Sequence, residues 1–397
     1  MKKLFLPLGL LTLSLMACYS PDAYESESLD DGSTSNADSE IGTLFSLNGG
    51  SQTCNPSVSQ DTVNFPASML WLNFGGDLSV VSSDSEYTTS KKYVEQHDRL
   101  TVSDTANKVK WFLMRDLSKG ECQFQDPEWS THPDYIVALR GYDVKGSKSC
   151  TYLDFGIFAV RTSDKAKFWF FDKNINEDAT PHVWVEPSAK ADEDGDISTV
   201  EGFFGTENVR LTYVNDEYDI VFADFANGGL KKAKKLKKPK NRTSGWKIDS
   251  PLISPDGHFV VYNMTEGYSV WEAYIQELSE NSTPVLIEQT KDMTSAPAQP
   301  HWFEYDGRLY VIWTEFPAGK AMLNTIDLQA STAQDGSAGR TMMREVRLTP
   351  GAASRDLAVE WLGETRVIAT IPMTGGRSPD AKFLATGTNP AYLLQLP

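Results

Sequence analysis

The 397-residue sequence predicts an all-β fold. Short stretches such as residues 310–313 are rich in β-branched and aromatic side chains, which is typical of antiparallel strands. Asp-Gly pairs such as Asp256-Gly257 mark tight hairpin turns, because Gly accepts a positive φ and Asp bonds its own backbone. Almost no segment shows sustained helical periodicity. A β-sandwich or two separate β domains would also fit these local features, so the architecture depends on the repeats described below.

The first 17 residues predict a signal peptide. Two lysines precede an apolar run from Leu4 to Met16 that contains no acidic residue and is too short to span a bilayer. Residues 15–18 resemble the lipobox of bacterial lipoproteins, in which the cysteine is acylated and becomes the mature N-terminus. We therefore expect Cys18 to carry lipid, with about 0.8 kcal/mol of anchoring per buried methylene. An ordinary secretory signal with a chance cysteine is the alternative.

The residues after Cys18 predict a disordered tether. Residues 18–50 are rich in Ser, Asp, Glu, Gly and Asn and contain few apolar side chains that could offset the entropy of ordering them. Ser20, in place of Asp, resembles the outer-membrane sorting signal of lipoproteins in a Gram-negative host. The sequence thus predicts an exported protein that faces the periplasm or the cell surface, with a folded domain over residues 51–397.

A recurring Pro-centred pattern gives the predicted architecture. A proline, or Ala in the last copy, precedes a short strand, a tight turn and a second strand at five places: Pro127, Pro181, Pro251, Pro300 and Ala358. The copies are 54, 70, 49 and 58 residues apart, which fits four strands per unit. The pattern predicts a β-propeller whose blades contain four antiparallel strands. Five marked units and an unmarked one over residues 65–120 make six blades, with seven as the alternative.

The copy from Pro251 to Gly257 resembles the repeats of the TolB-type periplasmic propellers, also called WD-like repeats. The resemblance implies a closed ring of blades and a C-terminal strand that completes a blade begun elsewhere. Residues 391–396 would form such a closing strand. Closure leaves few free sheet edges.

Three cysteines remain once Cys18 is acylated. An odd number in an oxidising compartment predicts one disulfide and one free thiol. Cys122 and Cys150 are closest in sequence and would join neighbouring strands of one blade, but Cys54 could pair with either.

Two histidines occupy equivalent repeat positions. His182 and His301 each follow a proline and precede a tryptophan, so both could face the mouth of the central channel, where they could bind a ligand or a metal. Polysaccharide lyases with propeller folds use histidines and a metal in such a site. The alternative, which we favour, is that each imidazole forms hydrogen bonds within its own blade.

An acidic segment invites comparison with a calcium loop. Its candidate ligands are Asp192, Asp194, Asp196 and Glu201, but Lys190 occupies the first place, where a carboxylate is required. A solvated acidic loop is the favoured interpretation. No cofactor is expected, and calcium is the one candidate.

The chain has a net charge of -17, against which one basic segment stands out. Residues 231–242 hold eight positive charges, among them Lys231, Lys232, Lys234, Lys235, Lys237 and Lys238. The segment could bind an anionic lipid or acidic polysaccharide, or it could be a solvated loop without a partner. Nucleic acid is excluded as a partner because the exported protein is acidic and has a single basic loop.

The sequence favours binding over catalysis. It lacks a Gly-x-Ser-x-Gly elbow, a His-Glu-x-x-His motif and Cys-x-x-Cys pairs, which removes the commonest peptidase and zinc signatures. We therefore expect a non-enzymatic propeller that serves as a binding platform for a protein partner or a polysaccharide. The alternative is a propeller-type carbohydrate-active enzyme, a lyase or hydrolase, with His182, His301 and a metal at the channel mouth.

Overall fold

The protein is described here by a computed structural model. The described residues are 43–46, 53–73, 87, 97–145, 150–192, 194–225, 233–242, 245–266, 270–289, 296–316, 340–352, 354–369, 383–385 and 392–395. The predicted signal peptide and Cys18 lie outside them. No helix within these ranges is long and apolar enough to cross a membrane.

Five antiparallel sheets of four strands follow one another along the chain. The first contains β2 (Thr53–Val58), β3 (Ser68–Asn73), β4 (Arg99–Asp104) and β5 (Val109–Met114). The second contains β6 (Glu121–Trp129), β7 (Tyr135–Asp143), β8 (Leu153–Arg161) and β9 (Lys167–Ile175). The third contains β10 (His182–Val185), β11 (Val209–Val214), β12 (Ile220–Phe225) and β13 (Lys234–Lys235). The fourth contains β14 (Trp246–Ile253), β15 (Phe259–Glu266), β16 (Val270–Glu277) and β17 (Val285–Gln289). The fifth contains β18 (Ala296–Tyr305), β19 (Arg308–Phe316), β20 (Arg340–Leu348) and β21 (Val359–Ala369).

A three-stranded sheet joins the two ends of the chain. The strand β1 (Thr43–Ser46) pairs antiparallel with β23 (Tyr392–Gln395), which also pairs with β22 (Phe383–Ala385). A strand therefore lies where a closing strand was predicted, and one of its partners comes from the N-terminal side. The strand β1 lies within residues 18–50, the range of the predicted tether.

The first strand of each four-stranded sheet is the innermost. Successive first strands contact each other in the order β2, β6, β10, β14 and β18, and β2 also contacts β22. Sheets that meet through their first strands in chain order surround a common axis, which is the arrangement of a β-propeller. The predicted all-β propeller class and the four antiparallel strands per blade are confirmed. The described residues contain five four-stranded sheets and the three-stranded one, and the blade count of six stays a prediction.

The innermost strands share a bulge before a proline. The bulge residues are Asn55, Asp126, Thr180, Ser250 and Gln299, with φ between 39° and 51°. In four of the five sheets the pairing with the second strand shifts register at this point. A bulge re-aims the side chains that follow it. The structural repeat is therefore this residue-Pro pair.

The repeat assignment needs two corrections. Asn55-Pro56 is the first copy, in the sheet that the sequence left unmarked. Ala358 is not a copy, because it ends the short helix Arg355–Ala358, ahead of the outermost strand β21.

Large apolar side chains fill the space between neighbouring sheets. The buried Trp129, Ile253 and Trp302 lie just before hairpin turns. Two tryptophans also join sheets by hydrogen bonds. Trp184 Nε1 donates to the carbonyl of Pro255 at 2.9 Å, and Trp302 Nε1 donates to that of Leu252 at 2.8 Å. Within the second sheet, Cys122 and Cys150 form a disulfide with 2.07 Å between the Sγ atoms.

Candidate ligand cavity on the propeller axis

A cavity of about 520 Å³ lies among the residues that follow the bulges of the five innermost strands. Its walls come from residues within 60–64, 128–134, 252–255 and 301–304, together with His182. These residues belong to all five sheets, so the cavity lies on the axis that the innermost strands surround.

The residue after each bulge proline forms a ring that faces this cavity. The five positions are Ser57, Glu128, His182, Leu252 and His301, and all except Ser57 line the cavity. The structure thus brings the two predicted histidines to one site. It adds Glu128, which the sequence analysis missed. Aligning the residues after each proline would have revealed it.

A deeper ring is formed by the bulge residues themselves. Asn55 Nδ2 donates to Asp126 Oδ1 at 2.6 Å, and the Asp126 carboxyl also accepts the backbone N–H of Thr180. The backbone N–H of Ser250 donates to Thr180 Oγ1 at 3.2 Å. These bonds connect the first four sheets in succession. The polar bulge side chains therefore hold the innermost strands together.

The carboxyl groups of the deeper ring are shielded from water. Burial, together with the nearby Asp249 and Asp178, raises the pKa of Asp126 to about 8. Burial likewise raises the pKa of Asp249 to about 6. Asp126 is consequently protonated at neutral pH, which relieves repulsion among the three acids.

Glu128 is an uncharged acid at neutral pH. Ser57 Oγ donates to its Oε1 atom, and burial raises the pKa of the carboxyl to about 8. The other carboxyl oxygen has no hydrogen-bond partner among the described residues. This oxygen is therefore available to a ligand in the cavity.

Both ring nitrogens of His182 already form hydrogen bonds. Its Nδ1 accepts the backbone N–H of Ile253 at 2.9 Å, and the ring also bonds to the backbone of Trp129. Burial, together with the nearby His301, lowers its pKa to about 3. The neutral ring therefore connects three sheets and has no nitrogen left for a metal.

His301 has one free nitrogen. Its Nδ1 lies 2.9 Å from the carbonyl of Gln299 and must donate to it, so Nε2 carries the lone pair. Burial lowers the pKa of this imidazole to about 4, and the residue is only 8% exposed. Within the described part of the chain Nε2 has no partner. It can accept a hydrogen bond from a ligand.

Four acidic residues line the cavity with the two neutral histidines: Asp61, Glu128, Asp134 and Glu304. Among the described residues, no Lys or Arg lines it. Asp61 stabilises its own loop, since its Oδ1 accepts the backbone N–H groups of Val63 and Asn64 at 2.9 and 2.8 Å. The site therefore repels anions.

The predicted calcium segment forms turns and a helix cap. Asp192 Oδ1 accepts the N–H of Asp194 at 3.0 Å, and Asp196 Oδ1 accepts that of Ser198 at 3.0 Å. Glu201 lies in the first turn of the helix Val200–Phe204. Among the described residues, from which residue 193 is missing, no three His, Cys, Asp or Glu side chains are grouped so that they could hold a metal ion.

The basic segment is partly the outer strand of the third sheet. Lys234 and Lys235 form β13, whereas Lys231 and Lys232 lie outside the described residues. Lys235 and Lys238 pair with Asp219 at 3.1 and 2.9 Å. Acids of the β11–β12 turn therefore pair with these two lysines within the chain. For Lys237 the structure shows an exposed side chain.

No family model matches this sequence, and no curated protein sequence matches it. Solved structures with distant similarity include an alpha-L-arabinofuranosidase from Podospora anserina, at 8% identity over 70% of this chain and 91% of that one, with a TM-score of 0.36. TolB from Acinetobacter baumannii has 12% identity over 68% of this chain and 52% of its own, with a TM-score of 0.35. An exo-1,5-alpha-L-arabinanase from a bovine ruminal metagenomic library has 10% identity over 82% and 99%, with a TM-score of 0.37. These similarities carry no conclusion about function.

Proposed function

We propose that this chain is an exported, lipid-anchored propeller of the TolB-like type that binds a ligand in its axial cavity without catalysis. The observation that carries the proposal is a cavity on the axis lined by two polar atoms without a partner among the described residues, the second carboxyl oxygen of Glu128 and Nε2 of His301. The surrounding strands are joined by hydrogen bonds, so the site is preorganised. A preformed pocket with a few convergent polar groups is the usual form of a ligand site.

The charge of the lining narrows the ligand class. Four acidic residues line the cavity and, in the described part of the chain, no Lys or Arg does, which disfavours an acidic polysaccharide or a nucleic acid there. Lys235 and Lys238 are already paired with acids, so the basic segment offers little extra attraction. The partner is therefore a neutral or cationic polysaccharide, or a protein segment of that character.

Anchoring is proposed to occur through Cys18. Labelled palmitate should be incorporated into the wild-type protein in its native host and not into a Cys18→Ala variant. Equal incorporation in both would contradict the anchor.

Ligand binding can be tested by obstructing the cavity at its rim. Val63 lines the cavity and is 84% exposed, so Val63→Trp should narrow the opening without disturbing the core. The matched control is Val144→Trp, at a 54% exposed position on the β7–β8 hairpin at the other end of the axis. Probes are the hexaoses of cellulose, chitin, chitosan and galacturonic acid, and a lysine-containing peptide, in calorimetric titrations. Saturable binding that only Val63→Trp weakens is expected; no binding, or equal binding by both variants, would contradict the proposal.

Glycoside hydrolysis is the second candidate function, and one observation favours it. Glu128 is protonated at neutral pH with a free oxygen in the cavity, as a general acid must be. If the protein hydrolyses glycosides, the same hexaoses should release reducing ends, and Glu128→Gln should abolish the release. No release by the wild-type protein would exclude this candidate for these sugars.

A further inference from the structure

We infer that the axial cavity binds an uncharged saccharide, which accepts a hydrogen bond from the protonated Glu128 carboxyl and donates one to Nε2 of His301. The inference rests on the proposed function, because it names the ligand class of the same cavity. The required chemistry is an uncharged polar group, or a pair of such groups, that both accepts and donates. A saccharide supplies it from two sources, its hydroxyl groups or an acetamido group.

The neighbours of Glu128 determine which of its oxygens carries the proton. Ser57 Oγ accepts the backbone N–H of Trp129 at 2.9 Å and donates its one hydroxyl hydrogen to Glu128 Oε1. Oε1 is therefore an acceptor, and the proton of the neutral acid resides on Oε2. Burial raises the pKa of this carboxyl to about 8, which retains the proton at neutral pH. Oε2 has no partner among the described residues, so its O–H can donate to a ligand.

His301 offers the opposite hydrogen-bonding role. Its Nδ1 donates to the carbonyl of Gln299, which leaves Nε2 as an acceptor on a side chain that is more than nine-tenths buried. Within the described part of the chain this nitrogen has no partner. An ammonium group cannot accept from the Glu128 O–H, and a carboxylate cannot donate to His301. An uncharged ligand that does both satisfies the two positions together.

The placement of the two positions favours a ligand with polar groups on several sides. Glu128 belongs to the second sheet and His301 to the fifth, with the innermost strands β10 and β14 between them around the axis. A ligand that contacts both residues therefore extends across the cavity. Pro133, Pro255 and Trp302 line the same cavity and give it apolar walls. A sugar ring carries hydroxyl groups around its edge and C–H groups on its faces, which fits a pocket of this kind.

Loss of the Glu128 proton should weaken binding. A carboxylate cannot donate, so with a pKa of about 8 the affinity at pH 9 should be about tenfold lower than at pH 7. His182 and His301 are uncharged above about pH 4 and do not titrate in this window. The other titratable groups around the cavity and in the ring beneath it are Asp61, Asp126, Asp134, Asp178, Asp249 and Glu304.

Variants separate Glu128 from Asp126, whose pKa is also about 8. In Glu128→Gln the affinity should no longer fall between pH 7 and 9, because the amide donates at every pH. Asp126→Asn should keep the fall, as should the control Asp216→Asn, which removes an exposed acid from the β11–β12 turn. His301→Ala removes the acceptor and should lower the affinity about tenfold at both pH values. A fall that persists in Glu128→Gln would overturn the inference.

The ligands to be compared differ only at C2 of each sugar. The hexaoses of cellulose, chitin and chitosan carry a hydroxyl, an acetamido and an ammonium group there, and calorimetry at pH 5.5 measures their affinities. We expect the cellulose or the chitin hexaose to bind at least tenfold more tightly than the chitosan hexaose. Tighter binding of the cellulose hexaose assigns the contact to a hydroxyl, and tighter binding of the chitin hexaose assigns it to an acetamide.

Cationic probes supply the contrary outcome. If the chitosan hexaose or the lysine-containing peptide binds as tightly as the neutral hexaoses or more tightly, and Val63→Trp weakens that binding, the inference is overturned and the proposed function stands. Failure of every probe to bind would overturn both.

A measurement on the wild-type protein alone guards against a misfolded variant. At pH 9 most of the free protein has lost the Glu128 proton, so binding of the neutral hexaose should take up about one proton from the buffer. Calorimetric titrations in two buffers of different ionisation enthalpy measure this number. Release of a proton, or no exchange, would overturn the inference.

Discussion

His182 and His301 occupy equivalent positions in their repeats and have different roles. His182 bonds to the backbones of two neighbouring sheets, whereas His301 bonds only to Gln299 in its own strand. The sequence analysis placed both histidines at the channel mouth. It could not distinguish their roles, because each role depends on which backbone groups of other sheets lie within hydrogen-bonding distance of the imidazole. The favoured interpretation, hydrogen bonding within each blade, holds for His301 and is wrong for His182.

The two histidines should differ in their contribution to stability. His182→Ala leaves two buried backbone groups without a partner, so we expect the free energy of unfolding to fall by about 3 kcal/mol. His301→Ala removes one hydrogen bond and should cost about 1 kcal/mol. Urea unfolding measures both values. Equal losses would contradict the bridging role of His182.

The buried acids make stability depend on pH. Asp126 has a pKa of about 8 in the folded protein, above its value in the unfolded chain, so the folded state binds more protons between about pH 4 and 8. Its stabilising contribution is therefore complete at low pH and is lost as pH rises, by up to about 1.4 kcal/mol per unit. Glu128 acts in the same direction.

Asp126→Asn should reduce the loss of stability between pH 6 and 8 by about half. The amide is neutral at every pH, and Asn tolerates the positive φ of this position as well as Asp does. Urea unfolding at pH 6, 7 and 8 measures the slope, with Asp216→Asn as the exposed control. An unchanged slope in Asp126→Asn would show that its proton does not contribute.

At the level of single elements, the residue-Pro bulge was only partly visible in the sequence. Pro127, Pro181, Pro251 and Pro300 were found because aromatic or Asp-Gly landmarks accompany them. Asn55-Pro56 lacks those landmarks and was missed. All five innermost strands have a positive φ at the residue before the proline, but five different residue types occupy that position. No single residue type in the sequence therefore indicates this geometry.

The turn at Gly257 gives a test of packing between sheets. Gly257 has φ +77°, and a Cβ there would lie 2.5 Å from Cε2 of Trp184 in the third sheet. Gly307, in the equivalent turn of the fifth sheet, has φ +69° and nothing within 4 Å of such a Cβ. Gly307→Ala should therefore cost about 1 kcal/mol from strain alone, and Gly257→Ala about 1–3 kcal/mol more.

Thermal and urea unfolding of the two variants provide the comparison. Equal losses would mean that Trp184 does not pack over this turn.

At the level of the whole molecule, strands from the N-terminal and C-terminal parts of the chain pair in the three-stranded sheet, which contacts the first four-stranded sheet through β22 and β2. The C-terminal closing strand was predicted from the family resemblance, but its partner β1 fell within the predicted tether. A four-residue strand has too little pattern to be recognised without its partner. The cavity was also beyond sequence reasoning, since residues of five separate sheets form its walls.

Removal of the central closing strand should loosen the ring. A deletion of residues 391–397 removes β23, which pairs with both β1 and β22, so the midpoint of thermal unfolding should fall. Deletion of residues 396–397 alone leaves β23 intact and serves as the control. If the two deletions have the same effect, β23 does not close the ring.

The central claim is that loops from separate sheets converge on one ligand cavity. Hydrogen exchange of the wild-type protein with and without the hexaose of cellulose or chitin, whichever binds more tightly, tests it most directly. The account predicts slower exchange in residues 60–64, 130–134, 253–257 and 301–305 together. Slower exchange confined to the loop of one sheet, or to residues 233–242, would contradict it.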